Sequence, residues 1–112
     1  ANKILIKLIN LYDNFERARD VVNEENKELK EGIEMIHKQF SNLLEEEGVK
    51  KIEARGQKFD PFKHEILDIT GGEEEDLVLD EIQSGYMLHD KVLRTSKVRI
   101  SKKQVQEVKE NV

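Results

Sequence analysis

The feature that most constrains this chain is a double heptad rhythm between Ile4 and Leu44. Ile4, Leu8, Leu11, Phe15, Ala18 and Val22 recur at alternating spacings of four and three, the pattern of a helix packed along one seam. Leu29, Ile33, Ile36, Phe40 and Leu43 repeat it. The link Asn23-Glu24-Glu25-Asn26 is short and polar. Two helices, over about Lys3 to Val22 and about Asn26 to Glu47, should therefore fold back antiparallel. Leu5, Ile9 and Tyr12 widen the apolar face of the first helix, and Met35 and Leu44 that of the second. Two helices cannot cover so much apolar surface, but a second copy of the hairpin would, as a dimeric four-helix bundle. Leu8, Leu11, Phe15, Ile33, Ile36 and Phe40 are the expected dimerisation residues. Asp13, Asn14, Glu16, Arg17 and Asp20 lie off the seam and should face solvent.

Gly48 follows the last periodic residue and suits a left-handed C-cap. Glu45-Glu46-Glu47 sits at the wrong end for the helix dipole. Gly32 lies inside the second helix, where glycine costs about 0.5–1 kcal/mol relative to alanine. It is either a tolerated glycine or the mark of another backbone approaching closely.

From Val49 the apolar period shifts from helical to alternating. Ile52-Glu53-Ala54, His64 to Ile69, Leu77 to Gln83, Tyr86-Met87-Leu88, Val92-Leu93-Arg94 and Val98-Arg99-Ile100 read as short strands, with Leu77, Leu79 and Ile82 inward. Gly71 to Asp76 reads as a polar loop, and Ser84-Gly85 and His89-Asp90 as turns. The fold class is α+β: a hairpin over 1–48 that builds the dimerisation bundle, then a small antiparallel β domain over 49–112. Val105 and Val108 give the tail after Ser101 a weak helical spacing.

Of the 112 residues, 38% are charged and 37% hydrophobic, which favours an elongated or oligomeric protein over a compact monomer. A net charge of −5 argues against general nucleic-acid binding. Without cysteine, disulfides and thiol catalysis are excluded, and a reducing compartment fits. No apolar run is long enough to span a bilayer. The chain starts at Ala1-Asn2-Lys3, almost directly in heptad pattern, and reads as a piece of a longer one. His37, His64 and His89 show no metal-ligand spacing, Gly71-Gly72 lacks the lysine and helix of a phosphate loop, and no nucleophile–base set assembles. No catalytic residue, metal or cofactor is expected, and an enzyme is the weakest reading.

Three blocks carry more specific information. Phe59-Asp60-Pro61-Phe62-Lys63-His64-Glu65 joins the two parts, and Pro61 stiffens it. Ile82-Gln83-Ser84-Gly85-Tyr86-Met87-Leu88-His89-Asp90-Lys91-Val92-Leu93-Arg94 follows, then Val98-Arg99-Ile100-Ser101-Lys102. In this order, after a heptad hairpin containing Leu11, Asp13-Asn14-Phe15-Glu16-Arg17-Ala18 and Glu31-Gly32-Ile33-Glu34, they resemble the GrpE family of nucleotide exchange factors, whose pattern is close to F-D-P-x-x-H-E-A, G-Y-x-L and V-x-V-x-K. Ile66 stands where that pattern has Ala, Phe62 where Asn or Tyr is common, Thr95 for a frequent Pro or Ala, and His89 for a frequent Asn. The family's long paired-helix stalk would precede residue 1.

The resemblance implies a cytoplasmic homodimeric co-chaperone whose β domain is a wing pressed against the ATPase domain of a DnaK-type chaperone. There it opens the nucleotide cleft and releases ADP. It implies no nucleic-acid or membrane partner. Carried over by motif, the chaperone-facing residues are Arg17, Asp20 and Val21 on the first helix and Phe59, Pro61, Ile82, Lys91 and Ile100 in the wing. Arg17 and Asp20 could equally be a surface i,i+3 pair, and Phe59 and Ile100 ordinary β core. Gly85 and Tyr86 should hold turn and core, and Arg94 could pair with local carboxylates. The alternative is a dimerisation or scaffold module without exchange activity, which leaves the wing blocks unexplained.

Overall fold

A computed structural model of the chain describes residues 2–22 and 25–103. Its elements are α1 (Asn2–Val21), α2 (Lys27–Glu46), β1 (Val49–Lys51), β2 (His64–Gly72), β3 (Leu77–Gln83), β4 (Tyr86–Leu88), β5 (Lys91–Arg94) and β6 (Ser96–Lys103). They divide into two compact units, Ala1–Lys50 and Lys51–Val112.

In the helical unit, α2 starts where Asn26 caps it: the Asn26 side chain accepts the Leu29 N–H at 3.1 Å. It stops at Gly48, whose φ of 85° is the left-handed conformation glycine takes without strain, with Gly48 N donating to Glu45 O at 2.9 Å. The helices fold back on each other through Tyr12, whose ring lies 5.0 Å from His37 and 5.3 Å from Phe40, and through Phe15 against Phe40 at 6.1 Å. Buried positions are Ile9, Tyr12 and Leu44, residues the heptad reading had placed beside the seam. Glu16 is not purely solvent-facing either: its Oε2 is 3.5 Å from His37 Nε2, while Arg19 donates to the same ring at 3.3 Å. Around Gly32 the space within this chain is open.

The strands form two three-stranded sheets, ordered β1-β4-β5 and β2-β6-β3. β6 pairs antiparallel with β3 but parallel with β2, so the second sheet is mixed. Parallel neighbours need a long crossover, and Glu73 to Thr95, containing β3, β4 and β5, supplies it. The first strand is Val49–Lys51, ahead of the expected Ile52-Glu53-Ala54. Ile52 instead donates its N–H to Gly85 O at 2.9 Å, and Ala54 O accepts Gln57 N in a turn. Gly71 and Gly72 extend β2, so the acidic loop is only Glu73 to Asp76. Ser101 to Lys103 belong to β6, whereas Val105 and Val108 lie outside the described residues.

Ile52, Ala54, Val78, Val98 and Ile100 make the core, with Phe59 and Met87 packed on it. On β3 the inward expectation for Leu77 and Leu79 is corrected: Val78 is the buried residue and both leucines are half-buried, while Ile82 is exposed, as a contact residue would be. Val78 lies opposite the buried Ile100, and beyond it the strand bulges twice. Val78 and Asp80 face Ile100 and Arg99, and Glu81 and Gln83 face Val98 and Lys97, which leaves Leu79 and Ile82 as extra residues. A third irregularity on β2 leaves Leu67 without a partner on β6. Across the other face, Arg99 ties the strands, with Nε 3.1 Å from Asp68 Oδ2 and Nη1 2.9 Å from Asp80 Oδ2.

Candidate functional site

The turn from Phe59 to His64 is tied by hydrogen bonds within itself and to its neighbours. Lys63 N and His64 N donate to Asp60 O at 3.0 and 2.8 Å, and Phe62 N donates to Asp60 Oδ1 at 2.9 Å. Asp60 N donates back to His64 Nδ1 at 2.9 Å, so the neutral ring carries its proton on Nε2. Ser96 N to Lys63 O and Phe59 N to Asp76 O, at 2.9 and 2.8 Å, fasten the turn to neighbouring segments. His64 is buried, and its ring lies 5.8 Å from that of Phe59. Burial holds the His64 pKa below its ordinary value, against the opposing charges of Asp60 and Glu81 and with the help of Lys63.

Around this turn the motif residues separate. Pro61 is exposed, while Phe59 is half-buried and packs on the core. Ile82 is 53% exposed because the bulge leaves it without a partner in β6. Lys91 is exposed at the start of β5, after the His89-Asp90 link in which His89 takes a φ of 54°. Ile100 is 0% exposed: as an alternate residue on the central strand it belongs to the core and offers no docking surface, which corrects its placement among the contact residues. Gly85 is fixed by contact. A Cβ there would lie 2.4 Å from Ser96 N and 2.7 Å from Thr95 C, while Gly85 N donates to Ser96 Oγ at 3.1 Å. Arg94 donates to Ser84 O from Nε at 3.0 Å and Nη2 at 2.6 Å, and its guanidinium lies 5.5 Å from the centre of the buried Tyr86 ring.

On α1, Arg17, Asp20 and Val21 are all exposed. Arg17 donates to Asn14 Oδ1, and Asp20 lies 3.9 Å from Arg19 Nε, so the simple Arg17–Asp20 pair is replaced by two separate contacts. Of the expected dimerisation set, Phe15 and Phe40 fill the seam inside the hairpin, Leu8 and Ile33 are half-buried, and Leu11 and Ile36 are 49% and 43% exposed. Six of the exposed apolar positions recur every seventh residue, Ile4, Leu11 and Ala18 on α1 and Leu29, Ile36 and Leu43 on α2, while Val21 and Met35 are exposed outside that stripe. Sequence reasoning passed over Phe62, a large exposed apolar residue in the middle of the turn; its only signal was a departure from the F-D-P-x-x-H-E pattern.

Among the described residues no helix is long and apolar enough to cross a membrane. No group of three or more His, Cys, Asp or Glu could hold a metal ion there.

A heptad hairpin followed by a two-sheet β unit with a locked D-P turn defines a class of helical-hairpin proteins bearing a β wing. The family model for GrpE matches residues 1–102, and the chain belongs to the GrpE family. A Protein GrpE of Methanosphaera stadtmanae is 42% identical over 102 residues, 89% of this chain and 58% of its own length. One from Methanobrevibacter smithii is 43% identical over 106 residues, covering 92% of this chain and 57% of that protein. One from Thermotoga maritima is 44% identical over 106 residues, covering 92% and 60%. The chain thus spans about three-fifths of the length of these curated relatives.

Proposed function

We propose that the chain acts in the cytoplasm as a homodimeric nucleotide exchange factor, promoting ADP release from the ATPase domain of a DnaK-type chaperone. Family membership over residues 1–102 carries the reading. The exposure of Pro61, Ile82 and Lys91 on the wing and of Arg17, Asp20 and Val21 on α1 supports it. The every-seventh-residue stripe supports the dimer, because a second hairpin would cover it with matching spacing.

The mechanism is linkage. A factor that binds the open ATPase domain better than the closed one weakens nucleotide binding, and nucleotide weakens the factor by the same ratio. This chain makes and breaks no bond in that scheme. It supplies differential contacts, with Ile82 as an apolar anchor and Lys91 as a rim charge.

Release of a fluorescent ADP analogue from the chaperone, with and without the chain, tests the proposal. Ile82→Ala should slow stimulated release about thirtyfold at subsaturating factor. Lys91→Ala should cost less and flatten the salt dependence. If the wild-type chain dimerises but leaves ADP release unchanged, the scaffold reading replaces this one.

A further inference from the structure

Phe62 is the feature that fold and core leave unused. The chain has four phenylalanines. Phe15 and Phe40 pack against each other in the hairpin, and Phe59 packs on the wing core. Phe62 is 83% exposed. A full phenylalanine side chain in water forgoes a burial free energy that its folded neighbours collect.

It is not exposed through looseness. Its own N–H is held by Asp60 Oδ1, Lys63 N and His64 N donate to Asp60 O, and Asp60 N donates to His64 Nδ1. The turn's foot is bonded to Ser96 and its head to Asp76. Exposed large apolar residues of the β unit concentrate here and on the edge strand that follows, at Phe62, Ile66, Leu67 and Ile69, with Ile82 as the other one. The backbone that carries this aromatic is already ordered by the turn, so docking would not have to order it, which favours a strong anchor.

The geometry points to Phe62 as the wing's aromatic anchor, presented by the Asp60–His64 turn to an apolar pocket on the chaperone ATPase domain, with Asp60 as its positioning residue. This rests on the exchange-factor reading and adds to it the pocket chemistry the partner must offer. It also makes position 62 a determinant of which chaperone the chain prefers.

The test measures binding of the nucleotide-free ATPase domain and stimulated ADP release side by side. Phe62→Ala should weaken binding about thirtyfold or more. Phe62→Leu should retain most of it. Both should melt like wild type, because the side chain supports no core. Asp60→Ala should weaken binding severalfold by loosening the turn, and Asp60→Asn, which keeps the Oδ1 acceptor, should restore it. If the wild-type chain binds and Phe62→Ala binds equally well, the anchor is overturned and the exchange reading stands. If the wild-type chain neither binds nor stimulates release, both fall.

Discussion

The helical unit and the β unit solve the problem of stability in opposite ways. The hairpin buries Ile9, Tyr12 and Leu44, yet leaves Ile4, Leu11, Leu29, Met35, Ile36 and Leu43 in water. The β unit buries a cluster of its own and pins its turns with side-chain-to-backbone bonds from Asp60, Arg94 and Ser96. A unit with uncovered apolar faces draws stability from association and follows mass action. A unit with its own core does not. The hairpin should therefore respond to protein concentration and the wing to local stereochemistry.

The largest expected effect breaks the hairpin side of this contrast. Ile36→Asp places a charge on the every-seventh-residue stripe, where a second hairpin would bury it, at a cost of several kcal/mol. Sedimentation should show monomer or unfolded chain, and the helical circular dichroism should lose its concentration dependence. Sedimentation of the wild-type chain as a monomer at micromolar concentration would remove the basis for the dimer.

On the wing side, Gly85→Ala drives a methyl group into the Ser96 and Thr95 backbone. Backbone cannot yield as a flexible side chain does, so the loss should be about 3 kcal/mol or more. It should appear equally at low and high protein concentration. A loss that shrinks on concentrating the protein would place the wing's stability in the assembly instead.

The smallest effect is pH-dependent. The folded pKa of His64 lies below its ordinary value of 6.5, so the unfolded chain binds more protons between the two. The contribution of His64 is fully present above pH 6.5, declines as pH falls below that value, and levels off below the folded pKa. Protonation also removes the Nδ1 acceptor for Asp60 N–H. Wing melting should fall with acid in this window, and His64→Gln should flatten the slope. An unchanged slope in that variant would assign the acid sensitivity to other groups.

Much of this was legible in the chain. Asn26, Gly48 and the heptads announced both helices, because capping and periodicity are local. The strand expected over Leu77 to Gln83 matches β3 at both ends, and Pro61 marks the D-P turn. What failed was facing. Alternation along β3 predicts Leu77 and Leu79 inward, but Val78 is the residue that lies opposite the buried Ile100, and the bulges at Leu79 and Ile82 break the alternation beyond it. Such an insertion exists only relative to the partner strand, so no window of one strand can show it. The same holds for Ile100, whose burial depends on its central place between β2 and β3.

The sequence by itself determined the two units, the order of most elements and the motifs that tie the chain to its family, since each is written in neighbours a few residues apart. Tertiary structure alone decided which apolar residues became core and which stayed in water. It turned Ile9 and Tyr12 inward and left Leu11 and Ile36 out, buried Ile100, and held Phe62 in solvent on a hydrogen-bonded turn. The physical reason is that burial is a property of pairs of segments far apart in sequence, whereas helix caps, turns and periodicity are settled within one.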